Sequence, residues 1–181
     1  MPTIDEQISI ISDYADQLVS DIQAETSRAN AANSSILSTL TSLQVDVESA
    51  LFAMQEEYLT EADLLSLDDD LDGIEADFEP MYDTIEFEQT TQDAADGEID
   101  GSILTIRGHV STLQSMAFPY VTMEQKTDID DCVTTLNNAI SLNSARKTSV
   151  QNSIASQNLI LSSIQTSLTT MTGLQPLETA E

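Results

Sequence analysis

The sequence predicts a mainly α protein: two long heptad-repeat helices paired as an antiparallel hairpin or coiled-coil stalk, with a small acidic insertion between them. Three observations predict it. Near both ends of the chain, apolar residues recur at alternating intervals of three and four, the period of a helix packed along one stripe. No Gly or Pro falls between Pro2 and Gly73. The charge is regional: the 181 residues carry a formal net charge of −27, and 18 of the 32 acids lie between Glu56 and Asp100, whereas Cys132 to Leu177 contains no Asp or Glu.

The first segment, 1–66, is read as the N-terminal stalk helix. Thr3 and Glu6 fit a capping box, in which each side chain satisfies an orphan backbone N–H. Ile4, Ile8, Ile11, Ala15, Leu18 and Ile22 set the stripe, and Ala29, Ala32 and Ile36 continue it. One extra residue then shifts the register before Leu40, Leu43, Val47, Ala50 and Met54 resume it, a skip that changes local winding without ending a helix. Ser27 to Ser35, with Asn30, Asn33 and Ser34, is the point of lowest helix propensity. Leu59 to Leu71 is expected to continue this helix or to turn back onto it.

The second segment, 67–120, is read as an acidic head. Asp68, Asp70 and Asp72 alternate, Gly73 allows a tight turn, and Glu79 closes a twelve-residue span. Oxygen ligands at that spacing converge on one hard cation in a calcium loop. The twelve residues resemble an EF-hand loop, and the resemblance implies calcium held by Asp68, Asp70, Asp72 and Glu79. The span departs from that pattern at Glu75, where an apolar residue is usual, and at Pro80, which follows the last ligand; a solvated acidic turn is the competing reading. Further on, 84–91 and 99–106 are rich in Thr, Ile and Phe, and Asp96-Gly97 between them is a good hairpin turn, so a small β-hairpin is expected. Val110, Leu113 and Ala117 then suggest a short helix ended by Pro119.

The third segment, 121–173, is the C-terminal stalk helix, followed by a flexible tail at 174–181. Thr122 and Gln125 offer a second capping box. The 3–4 alternation runs unbroken through Ile129, Val133, Leu136, Ile140, Asn143, Lys147, Val150, Ile154, Gln157, Leu161, Ile164, Leu168 and Met171. Gly173 and Pro176 supply the stop. All of these except Lys147 and Met171 are predicted to line an oligomer seam, where Asn143 and Gln157 would fix register and copy number at some cost in stability. Leu142, Leu159 and Ile160 lie off the stripe and imply a second packing face, so self-association is expected.

Several classes are disfavoured. No stretch approaches the roughly 18 to 20 apolar residues of a membrane span. The N-terminus lacks the basic and apolar regions of a signal peptide, so synthesis in the cytoplasm without secretion is expected. A strongly acidic chain repels nucleic acid. Cys132 stands alone, and Asp130 and Asp131 beside it would raise its pKa, which disfavours a reactive thiolate. Five glycines form no phosphate loop, His109 is the single histidine, and four Phe with four Tyr provide no sugar platform. An enzyme is not expected, nor any cofactor beyond the calcium already named. The composition, small and rich in Ser, Thr and Asn, resembles in style the virion components of a tailed phage, such as fibre, neck, tail or decoration proteins. The expected partners are further copies of the chain and neighbouring proteins of a larger assembly. Two alternatives are kept: an acidic DNA mimic that inhibits a nucleic-acid-binding protein, and a calcium-binding adhesion or switch module.

Overall fold

The structure, a computed structural model, describes residues 3–55, 59–116 and 120–174. These form three α-helices: α1 (Ile4–Met54), α2 (Glu61–Gln114) and α3 (Met123–Leu174). No strand occurs among the described residues. The chain divides into two compact units, the first containing residues 1–30 and 90–150, the second 31–89 and 151–181.

The acidic middle is therefore helical, which corrects the expected β-hairpin, the separate short helix after it and the loop-bearing head. The physical reason is a third heptad stripe. Leu67, Leu71, Ile74, Phe78, Met81, Ile85, Glu88 and Gln92 alternate by four and three, and after one extra residue Asp96, Ile99, Ile103, Ile106, Val110 and Leu113 continue the pattern. Strand pairing would place Ile85 and Phe87 on one face. Instead Ile85 is buried and Phe87 is 73% exposed. Ile103 and Ile106 are likewise buried while Thr105 between them is exposed. Asp96-Gly97 is absorbed into the helix, and a Cβ added at Gly97 would meet nothing within 4 Å. Pro80 also lies inside α2, with its ring exposed. A proline there removes one helix hydrogen bond and costs about 3 kcal/mol, which burial of the stripe offsets.

Both expected capping boxes form. Thr3 N–H donates to Glu6 Oε2 at 2.7 Å and Glu6 N–H to Thr3 Oγ1 at 3.2 Å; Thr122 N–H donates to Gln125 Oε1 at 2.9 Å and Gln125 N–H to Thr122 Oγ1 at 3.2 Å. A third box starts α2. Thr60 N–H donates to Asp63 Oδ2 at 2.8 Å, and Asp63 N–H to Thr60 Oγ1 at 3.2 Å. The Thr60 hydroxyl, and after it the Thr60 backbone N–H, hold the Asp63 carboxyl below its ordinary pKa. α1 ends at Met54 and does not run on to residue 66 as expected, and this box opens a separate helix. At the other end of α2, Lys126 Nζ donates to the Gln114 and Met116 carbonyls at 3.2 and 2.8 Å, a cation at a helix C-terminus. Ala117, expected in the short helix there, Pro119, expected to end it, and all of the expected tail except Leu174 lie outside the described residues.

In the first unit, three helix segments enclose one core. α1 contributes Ile8, Ile11, Ala15, Leu18 and Ile22; α2 contributes Ile99, Ile103, Ile106, Val110 and Leu113; α3 contributes Ile129, Cys132, Leu136 and Ala139. Gln125 reaches Asp5 at 2.6 Å and Ser149 reaches Asn30 at 3.2 Å, so α1 and α3 run in the same direction. Lys126 lies against the end of α2 and Arg146 against Asp96, so α2 runs opposite to α3. The second unit repeats the plan. Ile36, Leu40, Leu43, Val47, Ala50 and Met54 of α1 meet Leu67, Ile74, Met81 and Ile85 of α2 and Leu161, Ile164 and Met171 of α3. Here Gln157 reaches Asn33 at 2.8 Å and Gln44 reaches Ser163 at 3.3 Å, again a parallel α1 and α3. The expected antiparallel pairing of the two outer helices is thus corrected. With the middle segment itself a full return helix, the third helix must resume the direction of the first.

Within α1 the register skip also moves. Asn33 is buried where Ala32 was expected, so Ala29, Asn33, Ile36 and Leu40 alternate by four and three and the extra residue falls between Ile22 and Asn33. The helix is continuous through 27–35, where Ala29 and Asn33 are buried on the packed stripe.

Candidate functional site

The residues that sequence reasoning assigned to an oligomer seam are used inside the chain. Ile129, Leu136, Asn143, Val150, Gln157, Leu161 and Ile164 are buried, and Val133, Ile140, Ile154 and Leu168 are half-buried. Ile129 and Leu136 belong to the first core, with Val133 and Ile140 packed against it; Leu161 and Ile164 belong to the second, with Leu168 packed against it. The seam is covered by α1 and α2 of the same molecule.

Two polar sites interrupt the cores. In the first unit, α3 presents Asn143, Arg146 and Lys147 along one face, at positions one helical turn apart. α2 presents Asp96 and Asp100, also one turn apart. Arg146 is 1% exposed. Its Nε and Nη2 donate to Asn143 Oδ1 at 3.2 and 3.0 Å, and Nη2 also donates to Asp96 Oδ1. Lys147 Nζ donates to Asp100 Oδ2 at 2.7 Å, and Asn143 Nδ2 to Asp100 Oδ1 at 3.0 Å. Two cations and two carboxylates leave this network neutral, and the mutual bonding suits it to fixing register. In the second unit, the buried Gln157–Asn33 hydrogen bond has the same character. Sequence reading placed Asn143, Lys147 and Gln157 on the stripe but missed the burial of Arg146. The one signal for it was the Arg146–Lys147 pair opposite a break in the apolar stripe of α2 at Gln92 and Asp96.

No protein-family model, curated protein or solved structure matches the chain. What the molecule can do must be read from its own side chains.

The expected calcium ligands are not gathered. Asp68, Asp70, Asp72 and Glu79 are all exposed residues of α2. At 100° per residue Asp68, Asp72 and Glu79 share an arc and Asp70 points to the other side; Asp68 and Glu79 are separated by about 16 Å of helix. No cluster of three or more His, Cys, Asp or Glu able to hold a metal occurs among the described residues. The same arc carries Glu75 and Asp83, so the outer side of α2 in this unit is a row of carboxylates. The outer face of α3 in the same unit is the opposite: from 151 to 174 it has no charged side chain.

Cys132 is buried at the α1–α3 contact of the first unit. Burial raises its pKa, and Asp128, Asp131 and Asp16 add to the rise against a hydrogen bond from Ser12. The group is held as a thiol. His109 is exposed on α2. No helix is long and apolar enough to cross a membrane among the described residues.

Proposed function

We propose that this chain is a non-enzymatic structural protein that joins copies of itself and neighbouring proteins through the outer faces of its helices, in the setting of a larger assembly such as a tailed-phage virion. The observation that carries the reading is the sorting of those faces. One helix of the second unit carries a row of carboxylates, another carries none, and the seam residues beneath are occupied internally. Buried polar contacts at Arg146 and Gln157 support it further, because they favour a single helix register over tighter apolar packing. Sedimentation velocity of the full chain over a range of concentrations tests the reading. A concentration-dependent multimer is the expected result; a monomer up to the order of 100 µM, a regime where even weak association of a few kcal/mol beyond the millimolar level registers, overturns it.

A second reading rests on the row Asp68, Asp72, Glu75, Glu79 and Asp83, exposed on a helix within a span that has no Lys or Arg from 29 to 106. Such a row can occupy the basic groove of a nucleic-acid-binding protein. Displacement of DNA from a basic DNA-binding protein, weakening as salt rises, is its expected signature.

A further inference from the structure

We infer that the outward face of α3 in the second unit, centred on Leu159, is the surface on which a second copy of this chain docks. The inference rests on the self-assembly reading and assigns it a place.

The first support is electrostatic. On a chain of net charge −27, α3 carries no charged side chain from 151 to 174. In the same unit α1 contributes only Asp46 and Glu48 between 31 and 54, and α2 contributes the remaining described carboxylates with no cation among them. Two copies that meet through α2 oppose like charges at short range, whereas two that meet through this part of α3 do not. A basic partner finds no countercharge there. A second acidic copy finds the longest charge-free face of the unit.

The second support is the cost of covering the face. Asn152, Ala155, Leu159, Ser162, Thr166 and Thr169 are exposed and alternate by three and four, the spacing that lets one helix seat against another. Leu159, in the middle, is 74% exposed. Around it four hydroxyls are already engaged. Ser156 donates to the Asn152 carbonyl at 3.0 Å, Thr166 to Ser162 at 2.8 Å, Thr169 to Gln165 at 2.8 Å and Thr170 to Thr166 at 2.9 Å. A donor satisfied inside its own helix is covered with little loss of solvation, where a free donor or a charge is not. The same patch on both partners gives a two-fold, isologous contact.

Sedimentation equilibrium of the full chain, at about 0.15 and about 1 M salt, tests this. The expected result is a dimer that tightens as salt screens the repulsion between the remaining carboxylates. Leu159→Glu and Ser162→Glu should each weaken it at least about tenfold, since each opposes two new charges across the axis, at unchanged helicity. Ala76→Glu, which adds the same charge to exposed α2, should leave the dissociation constant within about twofold, because it stays outside the contact. If Leu159→Glu loses helicity, Ser162→Glu decides. A monomeric native chain overturns this proposal and the self-assembly reading together, and leaves the face to a protein of other sequence. A multimer indifferent to both α3 variants, or weakened equally by Ala76→Glu, overturns the face alone.

Discussion

Arg146 is the largest fully buried side chain among the described residues, and its neighbours explain how a charge is held there. Its guanidinium gives bonds to Asn143 and Asp96, while Lys147 and Asp100 complete a neutral set. Removing one member of such a set leaves a buried charge, which costs more than the pair contributes. Asp96→Ala is therefore expected to destabilise the chain by about 3 kcal/mol, and Arg146→Met by about 1 kcal/mol or less, because the second change removes the charge and keeps most of the volume. Urea denaturation of the full-length variants checks the order; a larger loss for Arg146→Met defeats this account. At this scale the sequence was partly legible. The Thr3 and Thr122 boxes could be read because the partner sits three residues away. Arg146 could not, because its burial depends on Asp96, fifty positions distant.

Among the elements, α1 and α3 were legible and α2 was not. The two outer helices have no Gly or Pro inside them except Gly173 near the end of α3, so hydrophobic period had no competitor. In α2, four glycines and Pro80 mimic turns, and the apolar positions 85, 87, 99, 103 and 106 fit strand and helix about equally in a short window. Only the full run from Leu67 to Leu113 separates them, since strand alternation fails at Phe87 and Leu104, both exposed. Wherever tertiary burial decides, local punctuation is a weak guide. Pro80 is the residue most at odds with its element. Because it is exposed and its ring makes no needed packing, Pro80→Ala should restore the missing helix hydrogen bond and stabilise the chain by about 1–3 kcal/mol. A thermal melt is the measurement, and a lower Tm for the variant shows that the proline serves the fold in some other way.

For the molecule as a whole, charge governs what lies outside the cores. Five basic residues face 32 acids. Arg146, Lys147 and Lys126 are engaged within the chain, and Arg28 is paired with Glu25. The outer carboxylates of α2 thus repel one another with little local compensation, and screening should relieve them. Raising salt from about 0.05 to about 0.5 M is expected to raise Tm by about 3–6 °C, the response of a chain this size to one or two kcal/mol; an unchanged Tm shows that the repulsion is already relaxed. The total acidity was plain from composition, but its placement was not: a head was expected, and a helix outer side was found. Of the α2 acids, Glu88 is buried and Asp96 half-buried, while all the others described are exposed. Packing and electrostatics are thereby written largely on separate arcs of one helix, so that substitutions on the outer arc can retune surface charge during evolution while the interior stays as it is.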